Sequence, residues 1–197
     1  IIVGLLALAV GAAWVGTNAV AAFHVLMGAF VYGVVYTVWL KRRTAWNIVW
    51  GGLSGSFAVL AGAAVVDPTP APVPLLLALV LFLWTPPHFW ALATALRDDY
   101  VAGGVPMLPV VVGSKKAAEI ILASTVALVG VSLVPAWFGL GAVYLGAAAV
   151  GGAVFLWTAA KLTRDPTRAR AMACFHASLA QLTLVLIGAM IDGAWVS

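Results

Sequence analysis

Apolar runs of about twenty residues recur along this chain with sharp polar breaks between them, and no other feature constrains the fold so tightly. Seven runs can be marked: roughly Ile1 to Thr17, Val20 to Leu40, Trp46 to Val66, Val73 to Leu96, Ala117 to Val134, Leu140 to Ala160 and Ala171 to Ile191. Each approaches the length needed to cross roughly 30 Å of hydrocarbon as a helix. Helix is the state lipid demands, because lipid offers no partner to unpaired backbone groups. A membrane barrel would need strict polar–apolar alternation, and these runs do not alternate. Composition agrees: 64% of residues are hydrophobic and only 8% charged, against roughly 25% charged in soluble domains. So few charges could not cover a water-soluble core. The sequence therefore predicts an all-α, polytopic membrane bundle of about seven transmembrane helices.

The breaks supply an independent check. All 10 Lys and Arg residues fall in three places. Lys41, Arg42 and Arg43 follow the second run. Arg97, Lys115 and Lys116 follow the fourth, and Lys161, Arg164, Arg168 and Arg170 follow the sixth. Seven helices put all three on one face, which the positive-inside rule makes cytoplasmic. The opposite connections are short and carry Asp67 and Asp192. The net charge of +4 thus reports orientation and gives no reason to expect nucleic acid. The single cysteine, Cys174, excludes an internal disulfide and a multi-Cys zinc site, and reads as a small buried apolar residue. Small residues at Gly51, Gly52, Ser54, Gly55 and Ser56 predict close helix packing. No linker divides the chain, so 1–197 reads as one domain. It opens Ile1-Ile2-Val3-Gly4 with neither Met nor a basic leader, and is expected to begin inside a hydrophobic helix.

Three places carry chemistry. Asp98 and Asp99 lie at a membrane mouth on the basic face, in the stretch Arg97 to Pro109. Adjacent carboxylates there suit a hard cation such as Mg²⁺, and Mg²⁺ suits a diphosphate leaving group; the alternative is an ordinary solvated loop end. Lys41-Arg42-Arg43, followed by Thr44 and Asn47, is either a topology signal or a diphosphate clamp. His88 lies in Trp84-Thr85-Pro86-Pro87-His88-Phe89-Trp90, inside an apolar run whose two prolines are expected to break the helical ladder. An ionisable residue beside such a break is a functional candidate, as a haem ligand or a group handling water or protons; the alternative is a hydrogen-bonded packing residue. His24 and His176 lack that context. The Trp residues read as interface anchors and packing.

At these residues the chain resembles a known family. Tyr36-Thr37-Val38-Trp39-Leu40-Lys41-Arg42-Arg43-Thr44 with Asn47-Ile48-Val49, then Leu83-Trp84-Thr85-Pro86-Pro87-His88-Phe89-Trp90-Ala91-Leu92-Ala93, then Asp99-Tyr100 through Pro106-Met107-Leu108-Pro109-Val110-Val111, are similar to blocks of the haem O synthases (protohaem IX farnesyltransferases). These are UbiA-type intramembrane prenyltransferases. The similarity extends to Ala189-Met190-Ile191-Asp192. Asp99-Tyr100 replaces the two aspartates, four apart, of quinone-type relatives and supports the haem branch. Ser56-Phe57-Ala58-Val59 stands where the family usually has a Pro-Pro pair, which leaves the local helix shape open.

The resemblance implies nine helices around a cavity with two polar motifs at its cytoplasmic mouth. Two helices and the first Asp-rich motif are then expected upstream of Ile1. It implies transfer of farnesyl from farnesyl diphosphate to a vinyl group of haem B, with Mg²⁺ as cofactor and haem B as substrate. His88, Asp99, Lys41 and Arg42 would be catalytic. Arg43, Asn47, Arg97, Tyr100 and His88 would bind substrate, and Asp98 and Asp99 would hold the metal. Expected partners are membrane lipid and the downstream haem A synthase or cytochrome oxidase assembly proteins, in a bacterial or mitochondrial inner membrane. The rival readings are a UbiA-type enzyme acting on a quinone precursor or chlorophyll-like ring, and a non-enzymatic transporter subunit.

Overall fold

The computed structural model describes residues 2–196, with side chains through Ala194. Helix α1 is Ile2–Gly16. Helix α2, Ala19–Phe30, runs without a break into a π-helical segment, Val31–Leu40. Then come α3 (Asn47–Val66), α4 (Pro72–Ala95), and two short helices, α5 (Arg97–Ala102) and α6 (Leu108–Val112). Helix α7 is Ser114–Leu133, extended by a 3₁₀ turn at Val134–Phe138. Helices α8 (Ala142–Arg164) and α9 (Arg168–Val196) complete the order. Among the described residues, 6 helices are long and apolar enough to cross a membrane; α1, with 15 residues in helix, is shorter. The all-helical membrane bundle read from the apolar runs is the fold observed, and each marked run contains a helix among its described residues.

Helix α4 is the hub. It packs against α3 on one side and against α7 and α9 on another, while α8 packs against α7 and α9. Its burial follows: Ala91, Ala93 and Trp90 on its second half are at most 2% exposed. Helix α1 packs on α2 and otherwise presents apolar side chains outward, as a lipid-facing helix does. Small residues bring helices together. A Cβ at Gly188 would lie 2.9 Å from the Tyr144 backbone, and one at Gly151 would lie 2.9 Å from Gln181, so glycine is what lets α8 and α9 touch.

Pro86 and Pro87 do not end α4, which is helical on both sides of them. Proline removes its own N–H, so each costs one rung, and both prolines are buried in protein where neighbouring helices can compensate. Thr85 Oγ donates to the Leu81 carbonyl (2.8 Å) within the same stretch. Helix α3 is likewise unbroken at Ser56, whose hydroxyl donates to the Ala78 carbonyl at 2.8 Å and ties α3 to α4. The shape left open at that position is therefore a plain helix with a polar cross-link.

The two ends of the bundle differ in kind. At one end Asn18 caps α2, accepting from Ala21 N (2.9 Å) and donating to the Ala64 carbonyl (2.6 Å). Asp192 at that end accepts from Tyr144 N at 2.8 Å, so α9 caps α8. Asp67 there accepts from both the backbone and the hydroxyl of Thr69, which holds its carboxyl below the usual value. At the other end lie the turn 41–46, helices α5 and α6, and the α8–α9 connection.

Candidate functional site

The stretch after α4, read from the sequence as a loop, folds into α5 and α6. Two glycines and a proline permit the tight reversal between them, with Gly104 at φ +63°. Arg97 pins the fold: its Nε donates to the Pro109 carbonyl at 3.1 Å, across twelve residues. Asp98 and Asp99 fall in the first turn of α5. With Thr94, Ala95, Leu96, Arg97 and Arg168 they line a polar cavity of about 350 Å³. The Arg97–Asp98 ion pair is loose, at 3.7 Å, and the Asp98 side chain is 100% exposed. Both carboxylates are thus presented to water.

Tyr100 turns the other way, packing against the core, where burial raises its phenol above the ordinary value. It lies near Tyr36, which brings α5 close to the π segment. In that segment Lys41 N donates to the Tyr36 carbonyl at 2.8 Å, five residues back. The wider π turn carries the chain directly into Lys41-Arg42-Arg43. The Lys41 ammonium reaches to 5.9 Å from the Tyr36 ring. Arg42 and Arg43 are exposed, and their side chains make no hydrogen bond or ion pair with any described residue.

Tyr36 also lines an apolar cavity of about 300 Å³ that runs inward from this end. Its walls are Tyr32 and Tyr36 of the π segment, Ile48, Gly51, Gly52, Ser54 and Gly55 of α3, and Leu81, Trp84, Thr85 and Phe89 of α4. The α3 glycines read from the sequence as packing residues therefore also form a cavity wall. A Cβ at Gly52 would lie 3.1 Å from Thr85 Cβ.

Asn47 sits under the basic turn and is fully buried. Its Nδ2 donates to the Thr44 carbonyl (2.6 Å) and the Lys41 carbonyl (3.4 Å). The reverse amide orientation would set Oδ1 against two carbonyls, so this one is chemically required. Its Oδ1 is buried with no partner among the described residues. Asn47 therefore shapes the basic turn and does not line the apolar cavity.

His88 lies behind the Trp84 wall of that cavity, against α9. Its ring stacks between Trp84 (3.9 Å) and Phe175 (4.6 Å), and its Nδ1 lies 2.7 Å from Ser178 Oγ. Ser178 Oγ donates to the Phe175 carbonyl at 2.6 Å. A hydroxyl has one proton, and a carbonyl can only accept. Both contacts are satisfied together only if His88 Nδ1 carries the ring proton, which leaves Nε2 with its lone pair. Trp84 Nε1 donates to the Ser178 carbonyl at 2.8 Å, so one turn of α9 fixes both rings. His88 is 6% exposed and does not line the apolar cavity; Trp84, stacked on it, does.

The structure thus gathers Arg97, Asp98 and Asp99 on one cavity and sets Lys41 and Tyr100 beside Tyr36 at the mouth of another. It does not bring His88 or Asn47 to either. Arg168, treated above as an orientation signal, joins the polar cavity; no spacing rule ties it to Asp98 across that distance in sequence. Ser178, which sets the His88 tautomer, was equally hidden among apolar residues. Among the described residues no three His, Cys, Asp or Glu side chains gather as a metal site. The donors present are two carboxylates. Mg²⁺ commonly takes one or two carboxylates and completes its shell with water and substrate phosphate oxygens. Asp98 and Asp99 therefore fit a magnesium diphosphate, though not a self-contained metal centre.

A polytopic helical bundle with an apolar cavity among its helices, and cations and carboxylates together at one end, defines the class as an intramembrane helical protein. Residues 1–185 match the model of the UbiA prenyltransferase family, and the chain belongs to that family. It is 64% identical over 192 residues to protoheme IX farnesyltransferase 2 of Paramagnetospirillum magneticum, covering 96% of this chain and 67% of that protein. It is 56% identical to protoheme IX farnesyltransferase 1 of the same organism, covering 90% of this chain and 63% of that one. The protoheme IX farnesyltransferase of Roseiflexus castenholzii is 43% identical over 98% of this chain and 36% of its own length. The chain thus spans two thirds or less of the length of these relatives. No solved structure matches it.

Proposed function

We propose that the protein containing this chain transfers the farnesyl group of farnesyl diphosphate to a vinyl group of haem B, giving haem O. The relatives' names support the substrates, and one arrangement supports the chemistry. The apolar cavity and the basic turn share Tyr36, so a prenyl chain lying among Tyr32, Gly52, Leu81 and Phe89 would carry its diphosphate out toward Lys41. In the reaction the allylic C–O bond breaks, and its electron pair leaves on diphosphate. The terminal vinyl carbon bonds to the farnesyl carbon, water adds to the resulting cation on the porphyrin side chain, and one proton is released.

The chain's residues divide that work. Lys41, Arg42 and Arg43 offer cations to the phosphate oxygens, Lys as a point charge and Arg as a fork. Asn47 holds the turn that carries them, and Arg97 holds the α5–α6 fold that presents Asp98 and Asp99. Tyr100 packs from α5 against the core. When bound, Mg²⁺ held by Asp98 or Asp99 would neutralise charge on the departing diphosphate. The apolar walls keep bulk water from the allylic cation. His88 is a positioning residue in this reading: its ring, locked by Ser178, sets the plane of Trp84 in the cavity wall, and its Nε2 lone pair remains able to accept from water or meet haem. The whole of 1–197 acts as one unit.

The test is diphosphate release by the intact protein in detergent. Release should require farnesyl diphosphate and rise strongly on adding haem B. Release stimulated by a hydroxybenzoate or chlorin acceptor and not by haem would sink the haem assignment, and no release with any acceptor would sink the transferase reading. The positive-inside rule places the basic end in the cytoplasm. Cysteines placed at Lys115 and Asp67 should then label from opposite sides in right-side-out and inverted vesicles; labelling from the same side would refute the orientation.

A further inference from the structure

The polar cavity has a lining residue that comes from outside its own stretch of chain. Residues 94–99 supply the rest of the wall, and Arg168 arrives from the far end of the α8–α9 connection. We propose that Arg168 is a diphosphate-binding residue, its guanidinium taking phosphate oxygens across the cavity from the Asp98 and Asp99 carboxylates. This rests on the prenyl diphosphate reading above and adds a cation to it.

The four basic residues of that connection are not equivalent. Arg170 is committed to structure: its Nε pairs with Asp165 at 3.4 Å and its Nη1 donates to the Lys161 carbonyl at 3.0 Å. The Lys161 ammonium sits 3.4 Å from the centre of the Trp157 ring. Arg164 is exposed and lines no cavity described above. Arg168 also makes no side-chain hydrogen bond or ion pair with a described residue, yet it alone of the four reaches the polar cavity. Across that cavity, Arg97 is partly spent on the Pro109 carbonyl and on Asp98. The free fork on this cavity is that of Arg168.

The charges around the space narrow the ligand. Two carboxylates and two guanidinium groups line about 350 Å³. They have not collapsed into tight pairs, since their one ion pair is the loose 3.7 Å contact of Arg97 with Asp98. A bare anion would be repelled by Asp98 and Asp99, and a bare cation by Arg97 and Arg168. A divalent metal bound to a diphosphate satisfies both sets, with the metal toward the carboxylates and the phosphate oxygens toward the arginines.

The experiment titrates inorganic diphosphate into the intact, detergent-solubilised protein by calorimetry, with and without Mg²⁺. Arg168→Ala should weaken Mg²⁺-dependent binding roughly tenfold, the size of a charge-assisted contact. Arg168→Lys should recover part of the loss, and Arg164→Ala should bind within about twofold of wild type. In turnover, Arg168→Ala should raise the KM for the prenyl diphosphate more than it lowers kcat. The side chain makes no hydrogen bond or ion pair with a described residue, so melting temperatures should match wild type. Wild-type affinity in Arg168→Ala would overturn the proposal while leaving the prenyl diphosphate reading standing. Equal weakening in Arg164→Ala would also overturn it, by showing a diffuse basic field. A wild-type protein that binds no diphosphate under either condition would sink both.

Discussion

Two pairs of aspartates, Asp67 and Asp192 at one end of this bundle and Asp98 and Asp99 at the other, are chemically identical and used in opposite ways. At the end carrying Asp67 and Asp192, each has a backbone donor: Asp192 holds Tyr144 N and Asp67 holds Thr69 N, both at 2.8 Å. Both bonds close a helix end or a turn. At the basic end Asp98 has only a loose ion pair at 3.7 Å, and Asp99 makes no side-chain bond with a described residue. Three of the cations there, Arg42, Arg43 and Arg168, are likewise without a hydrogen bond or ion pair to a described residue. A polar group spent on the fold stabilises it; one left unspent beside a cavity is available to a ligand. The difference separates carboxylates bound into the fold from carboxylates left open to a ligand.

Exchanging the loss between the ends should therefore split two readouts. Asp99→Asn keeps size and removes charge. It should lower Mg²⁺-dependent turnover by about 100-fold, the scale of losing one preorganised electrostatic contact, with the melting temperature unchanged. Normal turnover would show Asp99 to be a surface residue. Asp192→Ala should do the reverse. It strands a buried backbone donor on Tyr144, which costs about 1–3 kcal/mol of stability, and it should leave the KM for the prenyl diphosphate unchanged. Denaturation in mixed micelles and steady-state assays together measure the split, and equal effects on both readouts would erase the distinction.

The smallest effect belongs to Asp67. Thr69 depresses its carboxyl in the folded protein, so its contribution is present above the unfolded value and is lost as pH falls through the folded one. Thr69→Ala should melt slightly below wild type from about pH 5 to 8, and the two should converge as pH falls and the Asp67 carboxylate is protonated. A gap that persists unchanged in acid would mean that Thr69 acts through something other than this carboxyl.

Element existence was legible in the sequence because lipid leaves a long apolar run one backbone solution. Boundaries moved outward where polar residues extend helices past the hydrocarbon, as at Ser114 before α7 and Arg164 at the end of α8. Two local rules misled. Pro86 and Pro87 suggested a broken ladder, but burial among neighbouring helices keeps α4 continuous. The stretch 97–109 suggested a loop, yet the Arg97–Pro109 bond and the core packing of Tyr100 fold it into two short helices. The site was half legible. Asp98-Asp99 and Lys41-Arg42-Arg43 announce themselves as charges beside apolar runs. Arg168 and Ser178 do not, because what matters is which helix ends meet, and that depends on packing at glycines such as Gly151 and Gly188. His88 stood out for its chemistry, but its enclosure between Trp84 and Phe175 is a tertiary fact no neighbouring residue reveals.

The central claim is that the basic end and the apolar cavity together move a prenyl group onto haem. The intact protein, reconstituted in liposomes with Mg²⁺, haem B and isotope-labelled farnesyl diphosphate, should yield a labelled haem of higher mass that carries both the farnesyl group and one added water. The yield should fall about 100-fold in Asp99→Asn and hold in Asp192→Ala. Label that appears only as free farnesol, or haem recovered unchanged while diphosphate accumulates, would contradict the account.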